Sequence, residues 1–387
     1  MPDGHQETLT LTNLPSMAGV AKEEWDRLAL GGERPYYPFA SWDFLDALEV
    51  SGSVRPETGW GPHHLLLRRG EHISGVMPLY LKAHSRGEFV FDHAWADAYE
   101  RAGGRYYPKL LGAIPFTPAT GLRLFGETAE DEAALLAGAR QITSELGVSS
   151  LHINFLTEEE KALAEAAGYL VRTGTQYRFC DEGFGNWAGF LAALSSRKRK
   201  ALRKEREGIA KARIEIDWVT GSDITEAHLD LFWRFYQDTG ARKWGAPYLT
   251  RNFFSVITER MADSILFVMA RRGEQTIAGA MNFIGGDTLF GRYWGCTEYI
   301  PFLHFEVCYY QAIDYALQHG LSYVDAGAQG EHKIARGYQP VTTYSVHHLP
   351  NPSFHDAVAR YLEAEREEVD EAIHYLQDFT PFRKDGA

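Results

Sequence analysis

The sequence predicts an α/β (α+β) fold of two units in tandem. Three observations predict it. Two β-hairpin signals stand far apart, Arg69-Gly70-Glu71 and Arg272-Gly273-Glu274-Gln275, each between apolar runs. Each hairpin is followed by more strand, a helix and a further strand, so one order of elements is read twice. The 387 residues, 45% apolar and 24% charged, are enough for two ordinary cores.

In the first unit, helices are expected at Lys22–Leu28 and Ser41–Val50, and hairpin strands at His64–Arg68 and Ile73–Lys82. The stretch His84–Gly121 is rich in Gly, Pro and aromatic residues and reads as a functional loop region. A helix at Glu130–Leu146, the strand Ser150–Leu156, a second helix and a strand near Gln176–Cys180 close the unit. The boundary is expected where Gly and polar residues cluster at Glu182–Trp187, giving domains 1–184 and 185–387.

The second unit opens with Phe190–Lys211, read as one long charged helix of about six turns. Strand Arg213–Val219 and helices Glu226–Thr239 and Thr250–Arg260 follow. The hairpin Ile265–Arg271/Thr276–Ile284, strand Thr288–Trp294, helix Phe305–His319 and strand Tyr323–Ala326 come next. After a turn through Gly327–Gly337, strand Thr342–Leu349 leads to an amphipathic helix, Phe354–Leu376.

Composition bounds the function. A net charge of −13 argues against a general DNA binder, because neutralising phosphates needs surplus cations. Cys180, Cys296 and Cys308 lack metal or redox spacing, which fits a reducing compartment. The polar start, without a basic segment ahead of an apolar one, predicts no secretory signal. No apolar run approaches roughly 18 residues, so a cytoplasmic protein is expected, with peripheral contact to the inner membrane left open.

The densest polar cluster in an apolar setting runs from Arg292 to Tyr338. Tyr293 sits near a strand end, His304 and Glu306 at the next helix start, and Glu331, His332 and Lys333 after the following strand. In an α/β sheet such positions border one ligand crevice. Acyl transfer to an amine needs a base for the ammonium proton, a charge stabiliser for the carbonyl oxygen and an acid for the leaving group. His304, Glu306, Glu331 and His332 are the base candidates. Lys333, Arg336 and Arg292 are the stabilisers, with Glu298 in the same cluster. Tyr293 and Tyr338 are the candidate acids.

Each has a plainer reading. Glu306 suits a helix dipole, His304 a cap, and Glu331-His332-Lys333 an exposed loop. Cys296 and Cys308 read as small buried apolar residues. No His/Glu spacing supports a metal site.

In the first half, Phe91–Asp97 and Arg105–Leu110 mix charges with rings. There His93, Trp95, Tyr107 and Lys109, with Arg105, can wall a pocket and hold anionic groups. The run Arg197–Arg206 is a local basic patch. It reads either as a solvated helix face or as an attractor of an anionic donor or lipid surface.

The pieces Gly291–Glu298, Leu303–Gln311 and Ala326–Lys333 resemble the FemAB-like predicted N-acyltransferases of the GNAT superfamily. So do Tyr106–Leu110 with Pro115–Thr117, and Asp238–Trp244. The likeness runs from about Phe39 to His348. It implies two tandem GNAT-like domains with a cleft near their junction, and no tightly bound cofactor. It also implies an acyl-CoA or acyl-carrier-protein thioester as donor and an amine as acceptor. Relatives include a bacterial ceramide synthase, so a sphingoid base is one implied acceptor. Fem proteins proper use aminoacyl-tRNA on peptidoglycan precursors, which gives the alternative reading. A ligand-binding protein without turnover is a third. One departure stands out: the connection Gly295–His304 lacks the Gln/Arg-x-x-Gly-x-Gly/Ala loop with which GNAT enzymes cradle coenzyme A pyrophosphate.

Overall fold

The computed structural model describes residues 9–243, 247–327 and 330–383. The chain divides into two compact units: Met1–Gly174 with Thr343–Val369, and Thr175–Thr342 with Asp370–Ala387. Where the sequence suggested one cut after residue 184, this division exchanges two chain segments. Strand Leu170–Cys180 follows the first unit in sequence, yet Arg178–Cys180 pair antiparallel with Tyr323–Asp325 of the second. Strand Gln339–His348 follows the second unit, yet Tyr344–His348 pair with Leu151–Leu156 of the first.

In the first unit, Leu9–Leu14, His64–Arg69, His72–Met77 and Phe125–Gly126 form a four-stranded antiparallel sheet. The strand Leu9–Leu14 was not anticipated. Its alternation Leu9-Thr10-Leu11-Thr12 is nonetheless a short strand signal. The hairpin turns where expected, with Gly70 at φ +59°, a conformation that favours glycine. A second group of strands holds Trp60–Pro62, Leu79–Lys82, Lys109–Gly112 and Leu151–Leu156. Its last pair runs parallel, with the helix Ala129–Glu145 between the two strands. Thr128 caps that helix by accepting from the Asp131 amide.

Within the expected loop His84–Gly121, the structure contains the helix His93–Arg101 and the strand Lys109–Gly112. The sequence hid them because both are short and Gly103, Gly104 and Pro108 stand between them. Leu65, Leu67, Leu135, Ile153 and Val346 centre one core. Trp95, Tyr106, Phe354 and Leu362 centre a smaller one.

The second unit repeats the pattern. Glu215–Thr220, Ile265–Arg272, Gln275–Ile284 and Thr288–Cys296 form an antiparallel meander. Thr288–Cys296 then pairs parallel with Tyr323–Asp325. The expected long helix Phe190–Lys211 is two helices, Trp187–Ala193 and Ser196–Lys211. Leu194 breaks it by turning extended (ψ 152°) and bridging to Phe382. The core gathers Phe179, Phe190, Leu266, Val307, Tyr310, Ile313 and Tyr338. Among the described residues no helix is long and apolar enough to cross a membrane.

Candidate functional site

The chain leaves strand Thr288–Cys296 and turns sharply at Phe302, whose φ of +69° is unusual for a bulky residue. Helix Leu303–Phe305 follows, then a π-helical turn over Glu306–Tyr310, then helix Gln311–His319. The Gln311 amide donates to the Glu306 carbonyl, five residues back. A regular helix would align His304 with Val307 and Cys308. The wider turn also brings Tyr309 against His304, with ring centroids 5.2 Å apart.

A cavity of about 110 Å³ opens beside this turn. Its position follows from the sheet. Strand Thr288–Cys296 pairs with Tyr323–Asp325 only from Thr288 to Phe290, and Gly291 and Ala326, the next residues on each, line the cavity. Opposite Met281 and Asn282 the register slips, and Arg292 is the extra residue of the resulting bulge. Arg292, Tyr293, Trp294, His304, Cys308 and Tyr309 form the walls. His304 packs on Trp294 at 4.4 Å between centroids. Arg292 lies 5.2 Å over the Tyr293 ring.

His332 stands next to the cavity, its Nε2 3.2 Å from the Tyr309 hydroxyl. Partial burial of the ring, reinforced by Arg336 and Lys333, lowers the His332 pKa and favours neutral imidazole. Burial raises the Tyr309 pKa, so its phenol keeps its proton at neutral pH.

The cavity therefore gathers Tyr293, His304 and Arg292 from the sequence candidates, with His332 in contact through Tyr309. Other candidates lie elsewhere. Glu306 is buried and held by Arg206 and by the Gln311 side-chain Nε2 at 2.6 Å, so its carboxylate is committed to structure. Glu331 is exposed and does not line the cavity. Lys333 is buried and donates to the Ala326 and Gly327 carbonyls, the latter at 3.0 Å, bracing the turn. Arg336 pairs with Glu205 at 2.9 Å and lies 3.4 Å over the Phe305 ring. Glu298 pairs with Arg272 at the surface. Tyr338 is wholly buried, its hydroxyl 3.4 Å from the Tyr309 carbonyl.

Sequence reasoning missed Tyr309, Trp294 and Asn282 as wall residues. The aromatic run Phe305–Tyr310 was the available signal, but helical periodicity does not reveal a π turn. Cys308, read as a small apolar residue, is half-buried in the wall. Trp244, Ala328 and Gln329, within two of the pieces that carry the resemblance, lie outside the described residues.

In the first unit, His93 is exposed and stacks with Phe91. Tyr107 is half-buried, its hydroxyl 2.8 Å from Ser85. Lys109, expected to hold an anionic ligand, is wholly buried and bonded to Ser85, Glu88 and Asp92. Those carboxylates outweigh burial and raise its pKa, so it stays cationic inside the fold. Among the described residues no cluster of three or more His, Cys, Asp or Glu could hold a metal ion.

No curated protein matches the chain. Among solved structures, FemX superposes with a TM-score of 0.54 at 12% identity, covering 88% of this chain and 98% of that one. A conserved protein of unknown function from Bacteroides thetaiotaomicron gives 0.52 at 12% identity, covering 87% and 99%. L-PGS from Bacillus licheniformis gives 0.50 at 10% identity, covering 82% and 95%. At these identities the likeness is one of fold. A sequence profile of the FemAB-like family, described as peptidoglycan biosynthesis/recognition, matches residues 16–384. The chain thus belongs to the FemAB-like family, and its fold is like that of FemX.

Proposed function

We propose that this protein is an N-acyltransferase of cell-envelope synthesis, acting at the second-unit cavity. Family membership supports a transferase of acyl or aminoacyl groups. The observation that carries the reading is the convergence of His304, Tyr309 and Arg292 where the parallel strands stop pairing. An extended thioester arm fits beside a strand that has lost its neighbour.

The amine nitrogen attacks the thioester carbonyl, a C–N bond forms and the C–S bond breaks. His304 takes the amine proton. The Arg292 guanidinium faces the negative charge that grows on the carbonyl oxygen. His332 in its Nε2–H tautomer donates to the Tyr309 oxygen, which leaves the phenolic proton for the departing thiolate. Arg197, Lys200, Arg203 and Lys204 are exposed on helix Ser196–Lys211 and suit an anionic donor such as acyl-CoA or acyl carrier protein. The aromatic walls suit a lipid-borne amine, sphingoid bases included.

A second reading keeps the same site but takes the acyl group from aminoacyl-tRNA, and the cationic helix supports it. Incubation of the purified protein with acyl thioesters or charged tRNA, with and without RNase, separates the two. RNase-insensitive amide product supports the thioester donor, and product lost with RNase supports the second reading. Unchanged sphingolipids in a deletion strain remove the sphingoid-base version.

A further inference from the structure

Away from that cavity, the first unit holds a chain of buried titratable groups that ends at an unsatisfied nitrogen. Lys109 binds Asp92, whose Oδ2 accepts from the Tyr106 hydroxyl at 2.6 Å. His152 Nε2 lies 2.8 Å from the Ser150 hydroxyl and 3.3 Å from that of Tyr106, and His152 Nδ1 lies 2.6 Å from His347 Nδ1. His347 Nε2 is buried and meets no partner among the described residues. Ser149 gives its proton to the Tyr106 carbonyl, so Ser150 donates to Ser149 at 3.1 Å, and Tyr106 gives its own proton to Asp92; the Ser150 and Tyr106 oxygens therefore both accept from His152 Nε2–H. His152 Nδ1 then accepts from His347 Nδ1–H, and His347 Nε2 is left as a bare acceptor. Burial holds both imidazoles neutral, which this chain requires. A buried acceptor without a donor costs free energy unless a partner arrives.

Trp95, which packs on His347, borders a groove of about 680 Å³ between helix His93–Arg101 and the start of helix Pro352–Gln377. Ala94, Ala98 and Ala357 leave its space, and Trp95, Phe354 and Tyr361 wall it. The groove is fixed by Arg172. It binds Glu365 of the second helix at 2.6 and 2.7 Å, and the Phe91 carbonyl just before the first at 2.8 Å. Trp95 joins groove to relay, lining the first and meeting the His347 ring edge-on at 4.9 Å.

We propose that the first unit carries a second ligand site, in which this groove holds a single alkyl chain. A hydroxyl or amine at the chain's end displaces the Trp95 indole and donates to His347 Nε2. The groove supplies apolar contact, and the orphaned nitrogen supplies selection for a donor-bearing head over a carboxylate. The site involves no residue of the second-unit cavity, so its failure leaves the proposed transfer reaction untouched.

The test uses the full chain labelled with 15N-histidine, titrated with monomeric dodecanol, dodecylamine or dodecanoate. His347 is identified by the coupling across its Nδ1–Nδ1 hydrogen bond to His152. Dodecanol or dodecylamine is expected to move the His347 Nε2 resonance saturably, and dodecanoate to leave it in place. A98W, which fills an exposed stretch of the groove, is expected to abolish the shift while the protein melts normally. A357W serves the same end from the other wall if A98W does not fold. The proposal is overturned if neither donor probe moves the resonance, if all three move it equally, or if the shift persists in the filled-groove variant.

Discussion

Arg206 grips Glu306 through Nε and Nη2 at 2.9 to 3.2 Å, tying the first residue of the π turn to the basic helix. The preceding residue, Glu205, binds the Tyr310 hydroxyl at the last position of that turn, and Arg336 beyond it. Two consecutive residues thus brace both ends of the segment that presents Cys308 and Tyr309. Glu306 is 4% exposed at its side chain and Arg206 25%. Removing the arginine strands a buried carboxylate, so R206A is expected to cost about 3 kcal/mol, the low end for one lost partner of a buried pair. E306Q keeps the shape and loses the charge, and should cost less. Denaturant unfolding of both variants measures the difference, and equal costs would contradict the assignment.

The contact between Tyr309 and His332 predicts coupling in catalysis. Y309F and H332Q are each expected to lower kcat by about 10²-fold. The double variant should be no slower than the worse single one, because both act through one hydrogen bond. A double-mutant cycle on kcat checks this, and additive losses would separate the residues.

Gly320 ends helix Gln311–His319 at φ +69°, and a Cβ there would meet nothing within 4 Å. The only penalty for G320A is the left-handed backbone, about 1 kcal/mol. Thermal unfolding should show that loss, with transfer activity unchanged.

Stability should also fall on mild acidification. Burial lowers the His152 pKa to about 3 in the fold, against about 6.5 in an unfolded chain. Between those values the unfolded chain binds the extra proton. The stability His152 contributes is therefore present above pH 6.5 and is lost as pH falls toward 3. Unfolding midpoints should drop from pH 7 to pH 5 in the wild type and less steeply in H152F. Parallel slopes would contradict the buried neutral imidazole.

Much of the fold was legible because its signals are local. Gly70 and Gly273, both at positive φ, mark the two hairpins where sequence places them. What stayed hidden is non-local. Glu306 reads as a base until Arg206, a hundred positions earlier, is seen to hold it. The exchange of Leu170–Cys180 and Gln339–His348 leaves no mark in either strand's own sequence, since pairing partners are chosen in space. His304 and His332 were legible as polar residues in an apolar, glycine-bounded setting. Tyr309 was not, because the π turn that aims it looks like helix.

The most direct test of the second-unit site is amide formation by wild type and H304A, followed by mass spectrometry with an acyl thioester and a panel of amines. The wild type is expected to form amide, and H304A to form it about 10²-fold or more slowly while unfolding at the wild-type midpoint. Equal rates from the two proteins would contradict the account.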